Sequence, residues 1–235
     1  MKKIFLLVFI LSFTSCAELQ QIANQLPQET PYGISNAEIA SGLKQALNQG
    51  IDQQVTKLAE ENGFFSNELV RISLPPELQK VDKTLRDIGL DALADEGLQI
   101  LNRAAEDAVK EAIPVFADAV QEMTFEDVRN ILFGTDTAAT QYLSEKTTDE
   151  LYSRFNPIIE NSLEEVGANQ IWSNIIQRYN QVPFTNNVNP NLPDYVTTEA
   201  LDGVFTMIAL EEKEIRNNFA ARTTALLKRV FALQD

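Results

Sequence analysis

Apolar residues recur at helical spacing along almost the whole chain. Ile39, Leu43, Leu47, Ile51, Val55 and Leu58 fall three or four positions apart, which places them on one face of a long helix. Ser35-Asn36-Ala37-Glu38 precedes them as a capping box, in which hydroxyl and carboxylate each take an unpaired backbone N–H. Asn62-Gly63 closes the helix with residues suited to a left-handed cap. Val70–Leu74 alternates briefly and reads as extended. Pro76 suits the first turn of another helix, with Leu78, Val81, Leu85 and Ile88 on its buried face and Gly89 at its end. An alanine-rich run from about Asp91 to Met123 predicts a long helix that Pro114 kinks or splits. Ala104, Ala105, Ala108 and Ala112 within it allow close helix approach.

The pattern continues to the C-terminus. Thr124-Phe125-Glu126-Asp127 opens a short helix that stops at Gly134. Asp136 caps a helix reaching Lys146, and Thr147-Thr148-Asp149-Glu150 reads as a capping box for the next. That next helix buries Leu151, Phe155, Ile158, Ile159, Leu163 and Val166 before Gly167. Ile171, Trp172, Ile175, Ile176 and Tyr179 mark a further helix. Gln181–Pro193, rich in proline and asparagine, is the one long irregular stretch, and such stretches are often functional. Tyr195–Asn217 and Arg222–Leu233 complete the set. The prediction is an all-α fold, one multi-helix domain of about nine helices over residues 35–235.

The first residues carry a different pattern. Met1-Lys2-Lys3, the apolar run Ile4–Leu11 and the small residues before Cys16 form a cleavable secretory signal, too short to span a bilayer, which takes about 20 apolar residues. Cys16 is the only cysteine, placed where a bacterial lipoprotein is lipidated after removal of residues 1–15. Residues 16–34, with Pro27 and Pro31, then form a flexible spacer between lipid and fold. The expected address is the periplasmic side of a bacterial cell envelope, with the lipid on Cys16 contacting the membrane. Ala17, where inner-membrane lipoproteins carry aspartate, points to the outer membrane.

Charge and missing residue types narrow the chemistry. The 34 acidic residues against 19 basic ones give a net charge of −15. Loss of Lys2 and Lys3 deepens it. Such a surface repels nucleic acid, whose binding needs cations on its phosphates. There is no histidine, which removes the usual general base, the commonest transition-metal ligand and the Ser-His-Asp and Cys-His sites. With Cys16 lipidated no thiol remains. No cofactor and no metal site is expected.

Four constellations remain. Glu211, Glu212 and Glu214, or Glu199 with Asp202, offer carboxylates for acid/base work or simply a solvated helix face. Asn186, Asn187, Asn189, Asn191 and Asp194 offer oxygen ligands to calcium or turn chemistry, and turn chemistry fits better. Arg216, Arg222, Thr223 and Thr224 form the candidate anion site, the one cationic feature beside a helix start. The competing reading is that Thr223 caps the helix while Arg222 pairs with an acidic neighbour. Phe125, Phe133, Tyr142, Tyr152, Phe155, Trp172, Tyr179, Phe184 and Tyr195 line a pocket or, as their spacing favours, belong to the core.

Several segments, in order, carry a family resemblance. They include Glu38–Leu47, Val70–Pro75, Asn102–Ala105, Phe125–Asp127, Asp136–Thr140, Arg178–Asn180, Asp194–Phe205 and Ala221–Phe231. Together they resemble the bacterial domain-of-unknown-function family 4197. The resemblance implies an all-helical envelope protein of unassigned role and carries over no catalytic residue. The expected function is a non-enzymatic binding or interaction module with an envelope protein as partner. The alternatives are a carrier of an apolar ligand and a carboxylate-dependent enzyme acting on a periplasmic glycan.

Overall fold

The computed structural model describes residues 35–74, 79, 83, 86–181, 183, 187 and 189–233. Helix α1 (Asn36–Ala59) starts at the predicted capping box. The Ser35 hydroxyl accepts from the Glu38 N–H at 3.2 Å, and the Glu38 carboxylate accepts from the Ser35 N–H at 2.9 Å. These bonds to Ser35, with Arg229 nearby, hold the Glu38 carboxyl below its ordinary range. The whole predicted stripe from Ile39 to Leu58 is buried. The alanine-rich run is split, as its proline requires, into α2 (Asp91–Val109) and α3 (Ala112–Glu122). Pro114 sits in the first turn of α3, where a helix does not use its N–H groups. Thr124 and Asp127 cap α4 (Phe125–Leu132) reciprocally, at 3.1 and 2.9 Å. The Thr124 bonds depress the Asp127 pKa.

Four more helices follow: α5 (Ala138–Glu165), α6 (Ala168–Tyr179), α7 (Leu192–Asn217) and α8 (Ala225–Phe231), with a 3-10 turn at Phe219–Ala221 before the last. The described residues thus hold eight α-helices and no β-strand. The long helices α5 and α7 form the central antiparallel pair: Glu212 meets Ala139, and Thr197 meets Asn156. α1 crosses α3 and α7, and α2 packs on α5 and α7. α8 runs back along α1, with Thr223 reaching Gln49 and Arg229 reaching Glu38. Two glycines permit the closest approaches. A Cβ on Gly42 would lie 2.7 Å from Val230, and one on Gly203 would lie 2.8 Å from the Phe64 ring. The buried side chains form one core, with Phe64, Phe116 and Phe155 among its largest members.

The departures from expectation have local causes. Leu78, Val81 and Leu85 lie outside the described residues. Ile88 of the same proposed face is 65% exposed, so it is not a core position, although Gly89 does end that segment with φ of +81°. Thr147 does not start a helix, because α5 is continuous from Ala138 to Glu165. The Thr147 and Thr148 hydroxyls donate instead to the carbonyls of Leu143 and Ser144 at 2.6 and 2.7 Å, the other way a threonine is satisfied in a helix. Asp136 does not cap α5; its cap position is Thr137, and the capping carboxylate comes from Glu212 on α7. Val166 is exposed at the end of α5. α7 begins earlier than Tyr195, because the Asn191 side chain caps it at the Asp194 N–H, 3.1 Å away. Val70–Leu74 has no strand partner among the described residues; Asn102 holds it.

Candidate functional site

The four residues of the predicted anion site meet where α7 ends and α8 begins, but both arginines are buried there. Arg216 donates to the Glu212 carboxylate at 2.7 and 3.0 Å, and to the Ile131 and Leu132 carbonyls at 2.8 and 3.2 Å. Those carbonyls are at the C-terminal end of α4, which favours a cation. The same Glu212 carboxylate accepts from the Ala139 and Thr140 N–H groups, each at 2.9 Å, and from the Thr140 hydroxyl at 2.8 Å. It therefore caps α5 with an anion where the helix dipole favours one. Arg222, 2% exposed, donates to the Ile215 and Arg216 carbonyls at 3.1 and 2.9 Å, and lies 5.6 Å from the Phe231 ring centroid. Thr224, one residue beyond the expected cap, accepts from the Leu227 N–H at 3.1 Å, and Thr223 donates to Gln49. The arginines thus fasten helix ends, and the geometry gives neither an outward role toward an anion.

The other carboxylates divide the same way. Glu211 accepts from Gln54 at 2.6 Å, and Glu214 from Asn218 at 2.6 Å. Glu106, 2% exposed, accepts from the Asn62 and Phe64 N–H groups, both at 3.2 Å. It thereby secures the turn after α1, where Asn62 takes φ of +63°. Glu199 is the exception: burial first, and the neighbouring Asp202 second, push its carboxyl above the ordinary range. A folded-state pKa raised in this way means the ionised side chain weakens the fold at all pH above that value. The penalty fades as pH falls toward the unfolded value near 4.5. Glu199→Gln is therefore expected to raise the urea midpoint at pH 7 and to lose that advantage below about pH 4.5.

The asparagines of the long loop that lie in described structure do turn chemistry. Asn189 donates to Asp194, whose other oxygen accepts from the Tyr152 hydroxyl on α5. That bond raises the Tyr152 pKa. Trp172 donates to the Asn189 carbonyl at 3.1 Å and stacks on Tyr195 at 5.9 Å. Tyr195 in turn donates to the Ser73 carbonyl at 2.6 Å. Asn187 is exposed, and Asn186 lies outside the described residues. Of the aromatics named from sequence, Phe155 and Trp172 are core, while Phe125 and Phe133 are 41% and 59% exposed. Phe184 and the Tyr179 side chain lie outside the described residues. No cluster of carboxylates suited to a metal occurs among the described residues.

Two open clefts are lined by described residues. The larger, about 590 Å³, lies between α2 and the C-terminal end of α5, closed at one side by the turn after α1. Its base is Ile100 and Ala104, its rim includes Val166, and Glu61, Glu96, Asp107 and Glu165 line it. Arg103 is the one cation there, and it is held by Glu106 at 3.5 Å and Asp107 at 3.3 Å. The smaller, about 310 Å³, is bounded by α3, α5 and the Thr124–Asp127 cap. Lys146 lies 5.8 Å from the Tyr142 ring in it. Burial, then Asp127 and Glu122, raise the Tyr142 pKa. Glu199 lines neither cleft. Sequence periodicity locates the helices that wall these clefts. It gives no sign of which exposed carboxylates face each other across them, because they come from helices far apart in the chain.

The fold and these fastened helix ends define an all-helical domain whose buried charges serve its architecture. The sequence profile of the family described as "Protein of unknown function (DUF4197)" matches residues 33–232, and the chain belongs to that family. No curated protein and no solved structure matches it. Two of the segments that carried the resemblance from sequence touch directly. Asn102 accepts from the Ile72 N–H at 2.8 Å and donates to the Ile72 carbonyl at 2.8 Å and the Leu98 carbonyl at 2.7 Å.

Proposed function

We propose that this protein is a lipid-tethered module of the bacterial cell envelope that binds a partner rather than transforming a substrate. The carrying observation is the use made of its buried charges. Glu106, Glu212, Arg216 and Arg222 are the four buried charged side chains among the described residues, and each is engaged by helix ends or turns. An acid/base catalyst needs a carboxyl or equivalent that is both perturbed and facing a cleft. Glu199 is perturbed but lines neither described cleft. Asp127 and Tyr142 do line the smaller one, but the Thr124 bonds lower the first and burial raises the second, both away from the neutral range that acid/base work needs. The open cleft on α2 instead offers shape, charge and apolar contact, the ingredients of recognition. No helix among the described residues is long and apolar enough to cross a membrane. In this reading attachment is through Cys16 and the spacer of residues 16–34. Its lipid holds the body on the periplasmic side, at the outer membrane.

Two results test this. Cys16→Ser is expected to move the protein from the membrane fraction to the soluble fraction on cell fractionation; retention in the membrane would remove the tether from the proposal. In-cell crosslinking of the full lipoprotein, followed by mass spectrometry, is expected to recover one recurrent envelope protein. Recovery of a recurrent small molecule and no protein would shift the reading to a carrier or to a glycan-directed enzyme.

A further inference from the structure

We propose that the cleft between α2 and the end of α5 docks a polypeptide segment that carries lysine or arginine together with an apolar side chain. The proposal rests on the binding-module reading and names the chemistry of its partner.

Shape comes first. The cleft is open to solvent along α2, whereas small-molecule pockets enclose most of their ligand. A chain segment laid along this trough does not need that enclosure. Apolar contact comes second. Val166, 54% exposed at the end of α5, and the partly buried Ile100 both line the trough and offer apolar surface to a partner's side chain. Charge comes third. Five carboxylates line the trough; Glu106 and Asp107 hold its one guanidinium, so the charge left by Glu61, Glu96 and Glu165 is negative. A cationic segment meets that field, and electrostatic complementarity of this kind sets specificity and encounter rate.

Position agrees with the occupant. Ser35, where the spacer joins the body, is at the start of α1, and Glu61-Asn62 of the trough follow its end. A helix of 24 residues is about 36 Å long. The trough thus sits at the end of α1 remote from Ser35, clear of the point where the spacer joins the body.

The test uses the full lipidated chain in detergent and titrates a synthetic peptide of alternating lysine and leucine, followed by fluorescence anisotropy. The same peptide with alanine for leucine, and spermine, serve as comparison probes. Glu96→Gln combined with Glu165→Gln is expected to weaken the lysine-leucine peptide about tenfold or more. Asp52→Asn with Asp149→Asn, which removes equal charge from exposed sites outside the trough, is expected to leave binding unchanged. Val166→Ser is expected to weaken the leucine peptide and not the alanine peptide. Absence of peptide binding overturns the proposal. So does equal sensitivity to the two charge pairs, which marks diffuse attraction. Spermine binding as tight as the peptide's, with no effect of Val166→Ser, also overturns it and leaves a small-polycation site. If crosslinking recovers a partner that the trough variants do not release, this docking groove fails while the binding-module reading stands. If crosslinking recovers none, that reading fails first.

Discussion

Glu212→Ala is expected to destabilise the fold by about 3–5 kcal/mol, the usual cost of stranding one member of a buried ion pair. Three losses combine at this carboxylate. Arg216 keeps its charge and its burial but loses the one anion it touches among the described residues. The Ala139 and Thr140 N–H groups lose their acceptor at the start of α5. The negative charge that answered the α5 dipole also disappears. Urea unfolding followed by circular dichroism measures the change, which should shift the midpoint with little effect on the slope. Glu212→Gln keeps one acceptor and should fall between wild type and alanine. Combining Glu212→Ala with Arg216→Met should cost less than the sum of the single changes, because the second removes the charge that the first strands. Strictly additive losses would mean that the pair is not the source of the effect.

Asn102→Ala is the second large effect, about 2–4 kcal/mol, because it leaves both polar groups of Ile72 buried without partners, at about 1–3 kcal/mol each. The asparagine amide behaves as a peptide group lent by α2: it gives the Val70–Leu74 segment the pairing that a neighbouring strand would give. Hydrogen exchange separates this local role from general weakening. The Ile72 N–H should exchange far faster in the alanine variant under conditions where α1 amides remain protected. Asn102→Asp keeps the acceptor but loses the donor and buries a charge, so it should be worse at pH 7 than near pH 4, where the carboxyl takes up a proton. Equal stability of the aspartate variant at both pH values would argue that the side chain is not buried against Ile72.

Much of the fold is legible in sequence because its helices are written locally. The stripe of α1, the two capping boxes at Ser35 and Thr124, and the break near Pro114 each depend on residues within a turn or two of one another. What sequence misreads depends on distant partners. Thr147 matches a capping box letter for letter, yet the helix passes through it, because continuing α5 buries Leu143, Thr147 and Leu151 on one face against the core. Glu212 sits in an acidic run that looks solvent-facing, and only the fold brings the start of α5 to it. Arg222 looked like a cation beside a helix start; it is inside, over the Phe231 ring, with its donors on the carbonyls that end α7. The acidic trough was not visible at all, since its walls are separated by dozens of residues of intervening chain.

The pairing of α8 with α1 also bears on when this protein folds. Glu38 and Arg229 meet across 191 positions of sequence, and Gln49 and Thr223 across 174. Val230 and Leu226 cover Gly42, so the first helix gains part of its cover from the last. Contacts of such long range form late, after the entropy of closing a long loop has been met. As the chain emerges N-terminus first, α1 leaves with its stripe uncovered and waits for the rest of the chain. The fold is completed only after the C-terminal residues have followed, which makes the waiting α1 stripe the segment most exposed to wrong contacts in the meantime.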